Sequence, residues 1–127
     1  MIWLPTAQQV IHLHSKLINK SGGSNGVRDF GLIESAIMRA SAGFDGCEIY
    51  PTAIQKAAAV CCGLISNHGF VDGNKRIGVA AMLLILAKNG ISIRYTQQEL
   101  ICFGLNAAQG LINVEDCVAW IQEHCIS

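Results

Sequence analysis

The stretch Asn67-His68-Gly69-Phe70-Val71-Asp72-Gly73-Asn74-Lys75-Arg76 gathers an imidazole, a carboxylate, two amides and two cations between the two most apolar segments of the chain. If the second of those segments is a helix starting at Asn74, the backbone N–H groups of Asn74, Lys75, Arg76 and Ile77 point into the loop. The helix dipole adds about half a positive charge at the same place. Such a start holds anions, and a phosphate fits it. Gly73 lets the backbone turn and approach a ligand closely, while Lys75 adds a mobile point charge and Arg76 a bidentate fork. Asp72 would repel a bare phosphate, yet it makes sense as a ligand of Mg²⁺ that bridges to phosphate oxygens. An imidazole can take the proton of an attacking hydroxyl near neutral pH, which makes His68 the candidate base. The same residues also admit a plainer account, in which His68 caps or packs against a helix end, Asp72-Gly73-Asn74 is a turn, and Lys75-Arg76 is a solvated pair. Neither a GxxxxGK[ST] nor a GxGxxG spacing is present, so the pattern by itself reaches a phosphate-binding loop and no further.

The elements that must position this loop are helices. Thr6 with Gln9 forms a capping box, and Val10, Ile11, Leu13, Leu17 and Ile18 follow at helical spacing, predicting a helix over 7–19 before the Ser21-Gly22-Gly23-Ser24-Asn25-Gly26 loop. Asp29 caps a second helix through about Ala42, with Leu32, Ile33, Ala36, Ile37 and Ala40 on its apolar face. Phe44 to Pro51 is a candidate flap, extended at best in Cys47–Tyr50 because the residue before a proline disfavours the helical region. Thr52 opens a third helix to about Asn67, apolar from Ala53 to Ile65 except at Gln55 and Lys56. A fourth runs from Asn74 to Lys88 and stops at Asn89-Gly90. Ile91–Tyr95 is a short extended connector, Thr96 with Glu99 boxes a fifth helix to about Gln109, and Asn113 caps a sixth. In that last helix Val114, Cys117, Val118 and Ile121 face inward, with His124 or Cys125 as further inward candidates. The expectation is an all-α bundle of about six helices with the third and fourth buried at its centre.

Composition agrees with a chain that buries most of its length. Its 127 residues suit a single domain over 1–127, with 51% hydrophobic and 14% charged residues. Nine basic residues balance nine acidic ones, so no overall field attracts nucleic acid or an anionic membrane, and any anion site must be local. The longest apolar run, Ile77–Ala87, falls short of the about 20 residues that cross a bilayer. The first residues lack the pattern of a secretory signal, so the expected location is the cytoplasm.

Six cysteines, Cys47, Cys61, Cys62, Cys102, Cys117 and Cys125, contain no CxxC pair, which argues against zinc and for thiols packed as small hydrophobes. His12 and His14 are two apart and point to different sides of a helix, the wrong spacing for shared ligation, so they read as surface or packing residues. Trp3 and Trp120 read as core, with exposed anchors for a partner segment as the alternative. Asp29 is explained by its cap and Arg28 by a salt bridge to Asp29, which leaves both outside the catalytic set.

His68-Gly69-Phe70-Val71-Asp72-Gly73-Asn74-Lys75-Arg76 resembles the Doc (death-on-curing) signature HxFx(D/N)(A/G)NKR of the Fic/Doc superfamily at every specified position. Gly26-Val27-Arg28-Asp29, Gly31-Leu32-Ile33-Glu34-Ser35-Ala36 and Tyr50-Pro51-Thr52 resemble the family's upstream segments, so the likeness covers essentially the whole chain. The resemblance implies a compact helical Fic/Doc-like fold and nucleotide-dependent transfer onto a protein hydroxyl. Relatives with Gly between Asn and Arg typically transfer AMP. Doc-type proteins, with Lys there, resemble kinases that pass the terminal phosphate of ATP to translation elongation factor Tu. Carried onto this sequence, His68 is the general base, Asp72 the Mg²⁺ ligand, and Gly73, Asn74, Lys75 and Arg76 the phosphate cradle, with Lys75 also catalytic and Phe70 structural. The flap at 44–50 would register the target peptide by strand-like pairing. The family also implies a toxin of a type II toxin–antitoxin module, partnered by a Phd-like antitoxin lying in a groove between the N-terminal helices. None of Glu34, Glu48, Glu99, Glu115 or Glu123 is followed by Gly or Asn, so the inhibitory pattern [ST]xxxE[GN] of self-restrained relatives is missing.

Overall fold

Four capping boxes start four of the helices. Thr6 and Gln9, Thr52 and Gln55, Thr96 and Glu99, and Asn113 and Asp116 each exchange side-chain and backbone bonds. In the computed structural model, which describes residues 1–126, these starts open α1 (Ala7–Ser21), α3 (Ala53–Asn67), α5 (Gln97–Ala108) and α6 (Val114–His124). Asp29 accepts from the Leu32 N–H to start α2 (Phe30–Met38), and Gly73 precedes α4 (Asn74–Lys88) with no side-chain cap. The expected all-α fold is borne out, with one small addition. Gly43–Phe44 (β1) and Cys47–Glu48 (β2) form a two-stranded antiparallel hairpin in the flap segment.

Two boundaries differ from expectation. α1 runs two residues past Asn19, because the Ser21 hydroxyl donates to Leu17 O at 2.7 Å and the Gly22 N–H to Ile18 O at 2.8 Å, satisfying carbonyls that would otherwise be loose. α2 ends at Met38 and tightens into a 3₁₀ turn, Arg39–Ser41, closed by Ala42 N–H on Arg39 O. That tightening turns the chain toward the hairpin.

The centre is α3 against α4, as the apolar pattern predicts. Ala57 to Cys61, Leu64 and Ile65 of α3 are buried together with Ile77, Ala81, Met82, Ile85 and Leu86 of α4. Small residues let the axes close in: a Cβ on Gly78 would lie 2.6 Å from Ile65 Cγ1 and 3.0 Å from Cys61 O. Removing each Ile, Leu or Met side chain from water stabilises the fold by about 1.5–3 kcal/mol, which makes this pair of helices the rigid support of the loop between them.

α3 also carries one charge inside. Lys56 is 4% exposed, and its Nζ donates to Ala40 O and to Glu48 Oε1, both at 2.9 Å, tying β2 to the core. The cysteines divide. Cys61 and Cys117 are buried and Cys62 is half-buried, with Cys62 Sγ 3.5 Å from Cys117 Sγ across α3 and α6. The Cys117 thiol and then burial push Cys62 up from the ordinary thiol range, while Cys117 is pushed up by the Cys61 thiol and by burial, against a lowering contact from Cys62. Cys47, Cys102 and Cys125 are exposed, against the packed-thiol expectation. Cys47 lies on the solvated hairpin, Cys102 on the outer face of α5, and Cys125 just past the end of α6. Trp3 and Trp120 are half-buried at the edge of the core, and Lys88 Nζ lies 5.7 Å over the Trp3 ring.

Among the described residues, no helix is long and apolar enough to cross a membrane.

Candidate functional site

The loop between α3 and α4 is clamped from three sides. Asn74, the first residue of α4, turns its side chain back over the loop: Oδ1 accepts from Phe70 N–H at 3.1 Å and Nδ2 donates to Phe70 O at 3.0 Å. The Phe70 ring is 2% exposed and stacks on His14 of α1, centroids 3.8 Å apart and planes 15° apart. Phe70 thus anchors the loop in the core, the structural role that the family resemblance implies for it. His14 is buried, and its Nε2 donates to Asp72 O at 2.7 Å. On the outer side Arg28 and Asp29 donate their backbone N–H groups to Gly69 O at 2.8 and 2.9 Å, and Val71 N–H donates to Gly26 O.

These clamps set the site residues. His68 follows α3 in a left-handed conformation, φ 51° and ψ 49°, which a side chain with a Cβ rarely adopts. Gly73 takes φ 78°, and a Cβ there would lie 3.2 Å from Ile18 Cδ1. Glycine makes this turn into α4 without the strain that a Cβ would bring. The first N–H used inside α4 is that of Ile77, which donates to Gly73 O at 2.9 Å. This corrects the sequence expectation by one group, leaving the N–H groups of Asn74, Lys75 and Arg76 as the open array at the helix start.

Asp72 Oδ1 accepts from Gly73 N–H at 2.8 Å and Oδ2 from Ser24 N–H at 3.1 Å, while Arg76 Nη2 stands 3.9 Å from Oδ2. The Ser24 and Gly73 N–H groups, with Arg76 behind them, hold the carboxyl below its ordinary range, so it is ionised at neutral pH. Arg76 Nη1 donates to Ser21 Oγ at 2.8 Å and to Gly22 O at 2.6 Å. The glycine-rich loop after α1 packs directly on this pair, since a Cβ on Gly23 would lie 2.7 Å from Asp72 Oδ2 and 2.8 Å from Arg76 Nη2. Lys75 is exposed, with its stem near Gly104 of α5, and among the described residues no carboxylate pairs with it.

His68, Asp72, Gly73, Asn74, Lys75 and Arg76 line one polar cleft of about 390 Å³, so all the residues singled out in the sequence meet in one place. Lys75 and Arg76 also border an apolar groove of about 400 Å³ between α1, α4 and α5, lined by Leu17, Val79, Leu83, Leu100 and Ile101. Three contributors lie outside the sequence motif. The sequence reads His14 as surface or packing, and it gives Arg28 and the Ser21–Ser24 loop no place in the site. Their spacing from the motif carries no signal, because what joins them to it is tertiary contact across 40 to 58 residues.

This is a helical domain that sets a histidine, a carboxylate and a cationic helix start around one loop. The family model described as Fic/DOC family matches residues 4–86, and the chain belongs to that family. It is 37% identical over 99 residues to "Toxin Doc" of Mycolicibacterium smegmatis, covering 76% of this chain and 72% of that protein. It is 32% identical over 107 residues to "Protein kinase doc" of Escherichia phage P1, covering 84% and 83%.

Proposed function

We propose that the chain is the toxin of a toxin–antitoxin module and acts in the cytoplasm. In this reading it transfers the terminal phosphate of ATP to a hydroxyl of a translation factor of the elongation factor Tu kind. The observation that carries the reading is the open helix start, with the N–H groups of Asn74 to Arg76 uncapped by any side chain of the described residues and Lys75, paired with no carboxylate among them, in the same cleft as His68. The name of the phage relative, a protein kinase, points the same way.

The residues present fit Mg²⁺ with nucleotide phosphates. Asp72 is ionised and half-exposed, and each oxygen uses only part of its acceptor capacity on an N–H. A single carboxylate suits an ion that keeps waters and phosphate oxygens as its other ligands. Bound between Asp72 and the phosphates, the ion would neutralise charge on the transferring group.

The chain's own groups do the rest. The helix start and Lys75 hold the phosphates, with Arg76 adding its unused N–H donors. Asn74 contributes through its backbone N–H, since its side chain is spent on Phe70. His68 takes the proton of the attacking hydroxyl as the new bond from that oxygen to the γ-phosphorus forms and the bond from the γ-phosphorus to the leaving ADP breaks. The β1–β2 hairpin presents strand edges on which a target segment could pair. A Phd-like antitoxin segment lying in the apolar groove would also cover Lys75 and Arg76, which border it.

The test is transfer by purified protein to elongation factor Tu with Mg²⁺ and labelled ATP. Label arriving from the γ position, and lost in His68→Ala, is expected. Label arriving only from the α position would replace the kinase with an AMP transferase. No label from either would leave a binding protein that acts through its antitoxin.

A further inference from the structure

The end of α3 leaves three successive carbonyls, Asn67, His68 and Gly69, beyond the reach of the helix's own N–H groups. A helix commonly resolves this with a left-handed glycine; here the left-handed residue is His68 itself. All three carbonyls end on one short segment. Arg28 Nε donates to His68 O at 2.6 Å and Arg28 Nη2 to Asn67 O at 3.2 Å, while the backbone N–H groups of Arg28 and Asp29 share Gly69 O. Val27 then bridges to Phe70. Arg28 is not among the residues lining the polar cleft, and both its Nε and Nη2 are engaged on carbonyls. No carboxylate of the described residues pairs with it, Asp29 included.

We propose that Arg28 is a positioning residue for His68: its guanidinium fork fixes the strained backbone from which the imidazole enters the cleft. Two independent features support this, the fork on the carbonyls of residues 67 and 68 and the left-handed φ between them. A guanidinium at a helix C-terminus also meets the negative end of the dipole, and its bonds to carbonyls are charge-assisted. The inference rests on His68 being the base, so its test has an arm that needs no activity.

Arg28→Met keeps the aliphatic stem and the backbone N–H bond to Gly69 O but removes every side-chain donor; Arg28→Lys keeps the charge but reaches one carbonyl at a time. In the transfer assay Arg28→Met is expected to lower kcat at least tenfold with the KM for ATP within twofold of wild type, and Arg28→Lys to fall between. Amide exchange at Gly69 to Val71 is expected to speed up at least tenfold in Arg28→Met, with or without nucleotide. An unchanged kcat, unchanged exchange, or a raised KM for ATP at constant kcat overturns the proposal, the last because it would place Arg28 on the nucleotide. If Arg28→Met does not fold, the same readouts on Arg28→Lys decide. If the wild type transfers nothing, the kinase reading falls, and the exchange arm still judges Arg28.

Discussion

Asn74→Ala separates a clamp from a ligand. The Asn74 side chain makes two hydrogen bonds, 3.1 and 3.0 Å, to the backbone of a residue whose side chain is 2% exposed. Each such bond contributes about 0.5–1.5 kcal/mol net, and a buried backbone group left without a partner costs about 1–3 kcal/mol. The cleft beside the loop can admit water to one of the two groups, which puts the loss near the lower end of the summed range. Alanine recovers about 0.5 kcal/mol of helix propensity at the same position. The net expectation is a loss of about 2 kcal/mol in the nucleotide-free protein, a fall in Tm of roughly 8 °C for a domain of this size. Thermal unfolding followed by circular dichroism, with no nucleotide or metal present, measures it. A side chain held free for phosphate would leave the nucleotide-free protein within about 0.5 kcal/mol of wild type, as exposed substitutions usually do. A shift of less than 2 °C would refute the clamp and return the Asn74 amide to the phosphate cradle.

His68→Gly should abolish transfer while leaving the protein as stable as wild type or up to about 1 kcal/mol more stable, since glycine removes the steric cost of φ 51°; a marked fall in Tm would show that the imidazole is structural. Lys56→Met should free the β1–β2 hairpin, raising amide exchange over residues 43–48 and costing about 1–3 kcal/mol, because it strands the carbonyl of fully buried Ala40; unchanged exchange there would mean the hairpin holds itself. His124 Nδ1 lies 2.7 Å from Trp120 O and Nε2 2.7 Å from Glu99 Oε2, two acceptors that together favour the doubly protonated ring. The Trp120 carbonyl and then Glu99 raise His124 above 6.5, while the Thr96 N–H and then His124 pull Glu99 from 4.5 to about 2. The stabilisation is therefore full between pH 4.5 and 6.5, fades above as His124 loses its proton, and fades below as Glu99 gains one. The Tm difference between wild type and His124→Gln should peak in that window, and a difference flat from pH 5 to 9 would refute the pairing.

The helices were legible because their starts are written locally: Thr6 and Gln9, or Thr96 and Glu99, are capping boxes whose partners lie three residues apart. The chemistry-bearing set was legible for the same reason, with His68 to Arg76 held in one loop and one helix turn. What the sequence hid is everything that acts across the fold. Lys56 stands out in an apolar helix as an interruption, and nothing nearby announces that Ala40 O and Glu48 wait for it. Cys102 sits in a helical pattern like that of Cys117, yet α5 turns one outward while α6 turns the other in. Periodicity gives a face, and only packing says which face is covered.

The neutral overall charge of the chain bears on how the cleft must work. Asp72 and Arg76 stand 3.9 Å apart and largely cancel, and Arg76 is further tied to Ser21 and Gly22. The positive potential left for an anion comes from Lys75 and from the three open N–H groups of α4, a source that is fixed in direction and costs no reorganisation when charge develops. A pair that cancels at the cleft wall can still orient, because Arg76 retains donors that its loop contacts do not use. The Ser21–Ser24 loop therefore belongs to the site as its third wall. A side chain at Gly23, 2.7 Å from Asp72 Oδ2, would push Asp72 and Arg76 apart without touching a ligand itself.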